Sequence, residues 1–267
     1  MGAMRFLPSR GHWTKSRKPP ERQLEWEWWG DADASVLVAG HSHRESYRRA
    51  IAEGLTSTGA AVAVLVLGGS YDPAAMPNPD DTYWRLACAA QGRVLAVPWQ
   101  GNQYNTHFLF GFDEPFRLHD RGESGMVVPA SMLSAIWRRS FEGIDGAVAS
   151  ARAEHVVLIG TPPPKSDEAV REGLPHSPFF VRALARVGES VDTIRITPAA
   201  VRVGLWKILQ DDLEQEAARI GAVFVPVPLT AQTADGCLKP EYAWPDVSHA
   251  NAAFAALMLR EIEAAVA

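Results

Sequence analysis

Towards the C-terminal end of the chain, Asp246-Val247-Ser248-His249 puts a carboxylate three residues ahead of an imidazole. A histidine that works as a base needs a partner on its second ring nitrogen, to fix the tautomer and to stabilise the imidazolium. Asp246 can be that partner if the segment is a tight turn entering a helix. The Ala- and Leu-rich stretch after Asn251 reads as that helix. The plainer reading makes Asp246 a helix N-cap, since Asp caps helices often. The pair rises above that reading because the rest of the chain offers a nucleophile, Ser42, and an amide side chain, Asn102. Acyl transfer needs a hydroxyl, a base to take its proton, and donors to hold the oxyanion that forms.

The elements that must position these residues follow an alternating pattern. Short apolar runs at 35–39, 60–67, 93–97, 155–159 and 222–227 read as buried strands. Helices are expected at 43–58, 80–90, 129–153 and from Pro198 to Ile220, the last with Thr197 as N-cap and proline at its first position. A further helix closes the chain after His249. Residues 99–127 read as a long irregular stretch, and 166–188 as short helical pieces broken by Pro175 and Pro178. Strands alternating with helices imply a three-layer α/β/α sandwich around a five-stranded parallel sheet with right-handed crossovers.

Ligands of an open parallel sheet bind beyond the carboxyl ends of its strands. Gly40-His41-Ser42-His43 follows the first strand, Gly68-Gly69-Ser70 the second, and Trp99 to Asn105 the third. The Asp246/His249 turn follows the fifth, so all four clusters share one edge. In order and placement this resembles the SGNH hydrolases, the GDSL-type esterase and lipase superfamily, over about residues 34–265. That resemblance implies a flavodoxin-like fold, with Ser42 as nucleophile, His249 as base and Asp246 orienting it. It also implies an oxyanion hole from Ser42, Gly69 and Asn102. Two positions depart from the family pattern: His41 stands where Gly-Asp-Ser has its Asp, and Gln103 where Asn-Asp has its Asp. His41, His43, Trp99, Tyr104 and Asn105 are the expected substrate contacts, and Lys165 and Arg44 could draw in an anionic one. The implied substrate is a small acyl ester, such as an O-acetylated sugar or glycan, with no cofactor.

Two other readings accompany this one. An SGNH-like fold can be non-catalytic and bind a glycan or a protein partner. Gly40-His41-Ser42-His43 also resembles the Gly-His-x-His of calcineurin-like metallophosphoesterases, which would need a third ligand for an ion, with His107, His119 and Asp120 in a loop that could reach it. In that family, however, the motif comes late in the chain, after the aspartate ligands. The preferred reading therefore carries no metal.

Composition bounds the rest. The 267 residues carry a formal charge of −5, giving no electrostatic case for a nucleic-acid partner. Cys88 and Cys237 form no disulfide framework or metal spacing, which fits a cytoplasmic location. No signal peptide and no apolar run of membrane-spanning length is expected. Residues 1–33, with Trp26, Trp28 and Trp29 among glutamates, read as a mobile arm that docks its tryptophans onto a domain spanning 34–267. Composition leaves the oligomeric state open.

Overall fold

The computed structural model describes residues 24–30, 34–40, 42–56, 60–67, 94–99, 103–111, 116–118, 126–141, 144–149 and 151–267. The strands are β1 (Leu24–Gly30), β2 (Val36–Val38), β3 (Ala60–Leu67), β4 (Val94–Val97), β5 (Phe116–Arg117), β6 (Met126–Val127), β7 (His155–Ile159) and β8 (Val223–Val225). The helices are α1 (Arg44–Ala52), α2 (Gln103–Phe108), α3 (Ala130–Arg138), α4 (Ile144–Ala149), α5 (Asp167–Gly173), α6 (Pro178–Arg186), α7 (Ala199–Ile220) and α8 (Ala252–Val266).

The main sheet runs β1-β3-β2-β4-β7-β8, and its last five members are parallel. Val36–Val38 and Val94–Val97 are buried throughout, as strands covered on both faces must be. Counted in chain order, the parallel strands stand 2-1-3-4-5. This is the doubly wound order whose switch point falls between β2 and β4. Helices α1 and α8 pack on each other, while α2 and α3 pack on α7. Right-handed crossovers put these two groups on opposite faces of the sheet, with the core between them.

Several expectations need correction. The five expected parallel strands are present, and the sheet gains a sixth, because Leu24–Gly30 pairs antiparallel with β3 along its whole length. The end of the expected arm is therefore an edge strand, and Trp29 packs on the core with the Arg48 guanidinium 4.7 Å over its ring. Single-residue alternation of Glu and Trp at 25–28 is a period-2 signal, though a short one. The expected helix at 129–153 is interrupted by a 3-10 turn at Arg139–Phe141. The stretch 99–127 holds α2 and a small two-stranded sheet of β5 and β6. Pro198, not Thr197, occupies the cap of α7, so the helix starts one residue later than expected. The helix expected at 80–90, Cys88 included, lies outside the described residues.

Candidate active site

The Asp246 turn is built almost entirely by its own backbone and carboxylate. Trp244 N–H donates to His249 O at 3.0 Å, and Asp246 N–H to Trp244 O at 2.7 Å. Asp246 Oδ1 accepts the backbone N–H groups of Ser248 and His249 at 2.9 and 2.8 Å. Its other oxygen, Oδ2, meets His249 Nδ1 at 2.6 Å. The Asp246 carboxylate therefore does not cap α8. Asn251 does, its side chain accepting Phe254 N–H at 3.2 Å.

Because Nδ1 faces a carboxylate, it carries the proton, and Nε2 is left with the lone pair that a general base uses. Burial alone would raise the Asp246 carboxyl. The His249 hydrogen bond and charge, joined by the Lys165 ammonium, outweigh burial and hold the group far below the usual carboxylate range. His249 itself is 30% exposed at its side chain, open enough to meet a ligand.

Helix α1 docks against this turn through residues spaced three apart, the spacing that puts side chains on one helix face. His43, at its cap, sets its ring 5.1 Å from that of His249. Ser46 Oγ donates to Ala250 O at 2.7 Å, buried from solvent. Arg49 lays its guanidinium 3.5 Å over the Trp244 ring. The start of α1 thus sits at His249, and Ser42, the residue before the cap, is exposed there in the turn entering the helix. That turn is closed by Glu45 N–H donating to Ser42 O at 3.1 Å.

A second element clamps the turn from the other side. The α5–α6 segment packs Val170, Leu174, Phe180 and Leu184 around Val247. Ser177 Oγ accepts Val247 N–H at 3.1 Å and donates to Gly173 O at 2.9 Å.

Of the other expected site residues, Trp99, Tyr104 and Asn105 are 3%, 1% and 1% exposed. All three are buried, and the Tyr104 hydroxyl donates to Pro162 O at 3.4 Å. His41, Gly69 and Asn102 lie outside the described residues. Arg44 and Lys165, expected to offer charge at the surface, are both buried at 2%. Arg44 donates to Gly40 O, and Lys165 turns inward to the Asp246 turn. Ser46, Gly173 and Ser177 were not legible as site residues, and Lys165 was legible only as a charge for an anionic substrate. Lys165 gave the one sequence signal, its place after three prolines at the carboxyl end of β7. A small cavity behind His43 is walled also by Ser46, Thr161 and Phe254. Among the described residues, no three His, Cys, Asp or Glu side chains come together to hold a metal ion, and no helix is long and apolar enough to cross a membrane.

No family model and no curated protein matches the sequence. Solved structures similar to the chain include the periplasmic domain of a lipopolysaccharide acetyltransferase from Salmonella ser. Paratyphi A, with a TM-score of 0.45, 9% identity, and 89% of this chain and 85% of that one covered. A carbohydrate acetylesterase from Sinorhizobium meliloti gives 0.42 and 14% identity, with 87% and 99% covered. A GDSL-like lipase from Bacteroides thetaiotaomicron gives 0.40 and 11% identity, with 86% and 84% covered. At this level of likeness their activities do not transfer, and the chemistry of this chain rests on its own residues.

Proposed function

We propose that the protein is a serine-dependent ester hydrolase or acyl transferase acting on a small acyl ester. The observation that supports this most is the docking of α1 on the Asp246 turn. It sets the ring of His43, the neighbour of the exposed Ser42, 5.1 Å from that of the aspartate-paired His249. In this reading Ser42 Oγ attacks the ester carbonyl carbon while His249 Nε2 takes its proton, and Asp246 steadies the imidazolium. The backbone N–H groups of Ser42 and Gly69 and the Asn102 amide hold the tetrahedral oxyanion, each donor contributing about 3 kcal/mol to the transition state. As the tetrahedral species collapses, His249 returns the proton to the departing alkoxide and the acyl group stays on Ser42. Water or an acceptor hydroxyl then releases it by the same steps. An O-acetylated sugar or glycan is the substrate class we favour, in the cytoplasm and without a cofactor, with His41 and His43 beside the nucleophile.

The test is labelling of the full chain with a serine-directed fluorophosphonate of small alkyl group. A single adduct on Ser42, lost in Ser42→Ala and strongly slowed in His249→Gln, supports the reading. Labelling that survives Ser42→Ala overturns the assignment of Ser42, and no labelling together with no turnover of acetyl esters overturns the reading and favours a non-catalytic binding protein.

A further inference from the structure

Lys165 ends the loop that leaves β7, and its ammonium is buried against the Asp246 turn. An ammonium has three N–H donors and no acceptor. Here all three are taken by one short run of chain, through Trp244 O, Asp246 O and Asp246 Oδ1, the last at 3.3 Å. The lysine backbone is itself fixed from behind. Arg202, with no exposed surface, donates from Nη1 to Lys165 O at 2.8 Å, from Nε to Thr197 O at 2.9 Å and from Nη2 to Asp167 Oδ1 at 2.6 Å.

We propose that Lys165 is a positioning residue for the Asp246–His249 pair. Its ammonium gathers the carbonyls of residues 244 and 246 and one carboxylate oxygen around itself, and so aims the other oxygen at Nδ1. Trp244 O and Asp246 Oδ1 also accept backbone N–H groups, and the ammonium is the cation that draws them and Asp246 O towards one point and offsets their mutual repulsion. Burial lowers the Lys165 pKa while Asp246 pulls it back up, so the charge and its carboxylate partner support each other. The other charged or titratable groups around the pair are His43 against His249, Arg49 over Trp244, and Arg202 with Asp167 behind Lys165. Lys165 is the side chain that donates to Asp246 Oδ1 among the described hydrogen bonds.

The effect on rate rests on the acyl-transfer reading, whereas the effect on the hydrogen bond does not. The experiment therefore observes that bond directly. In protein carrying 15N-histidine, the Nδ1–H proton of a short imidazole–carboxylate bond resonates far downfield, and His249→Gln identifies its signal by removing it. Lys165→Met keeps the stem and deletes the ammonium. We expect a folded variant whose downfield proton is lost or moved upfield, with kcat lower by about 10- to 100-fold and KM little changed. A folded Lys165→Met with the His249 proton in its original position overturns the proposal. Should that variant not fold, the wild-type ammonium decides the matter. A slowly exchanging Lys165 N–H signal that collapses in Asp246→Asn supports the role, and fast exchange in wild type overturns it. If the proton moves as expected while the wild type neither labels nor turns over esters, the catalytic reading fails and the positioning role stands.

Discussion

The imidazole of His43 lies against that of His249, with ring planes tilted by 48° and centroids 5.1 Å apart. His43 is 5% exposed, so it forms a wall and not a second working imidazole at the surface. Asp246 fixes one edge of the His249 ring, and His43 limits its swing on the face. Replacing His43 by Ala should free that swing and lower kcat/KM by about 10- to 100-fold, the scale of loss from a small misplacement of a reacting group. His43→Phe, which restores a ring, should recover most of it. Turnover of a small acetyl ester by the two variants checks this, and equal rates for Ala and wild type would remove the ring contact from the account.

Gly173 approaches the Asp246 turn more closely than any other side chain would allow. A Cβ there would fall 2.6 Å from both the carbonyl carbon and the carbonyl oxygen of Asp246, and backbone cannot rotate aside as a long side chain does. Its φ of −77° is ordinary, so the requirement is one of space and not of conformation. Gly173→Ala should cost about 1–3 kcal/mol of stability, as overpacking generally does. Activity per folded molecule should fall as well, because the displaced atom belongs to the residue that orients His249. Denaturant unfolding combined with active-site titration separates the two effects.

Asp246 predicts a specific dependence of stability on pH. Its folded-state carboxyl lies well below the unfolded value of about 3.9, so folding favours the ionised form. The stabilisation is complete above the unfolded value and is lost as pH falls towards the folded one. Wild type should therefore exceed Asp246→Asn in stability by the largest margin near neutrality, on the order of 2 kcal/mol. The margin should shrink steadily between about pH 5 and pH 2. Urea midpoints of both proteins across that range test it, and a gap that stays constant with pH would mean the carboxylate is not held as the geometry indicates.

The strands that carry the sheet were legible because burial on both faces demands continuous apolar runs, and 155–159 matches its strand residue for residue. Strand β1 was not, because its tryptophans and glutamates alternate next to a basic, proline-bearing stretch that reads as an arm. The partnership of Asp246 with His249 was legible from spacing alone, since three residues fit one turn. Lys165 was not, because a lone lysine after a proline run looks solvated. Only the fold shows that the turn at 244–246 curls over it, 79 and 81 residues later. Trp99 and Tyr104 misled in the opposite direction. Large side chains just past a strand suit a pocket wall and a packed sheet edge equally well, and only tertiary contacts decide which they are.

Gly40 separates the nucleophile from the base in an experiment. Strands β2 and β4 stay paired up to Ala39, whose N–H donates to Ala96 O at 3.0 Å, and then part at the switch point. As they part, Gly40 passes Pro98 so closely that a Cβ would stand 2.6 Å from the Pro98 carbonyl oxygen and 2.7 Å from its ring. Neither the carbonyl nor the closed ring can turn away, so Gly40→Ala must push the chain leading to Ser42 off its course. The variant should lose about 1–3 kcal/mol of stability and react with the fluorophosphonate at least tenfold more slowly. The downfield His249 proton should stay where it is, because the carboxylate that accepts it is held by the Lys165 ammonium and by the backbone N–H groups of its own turn, not by the start of α1. Slow labelling together with an unmoved proton assigns the two halves of the site to separate supports. Labelling at the wild-type rate in the folded variant would show that the course of residues 40–42 does not set the reactivity of Ser42.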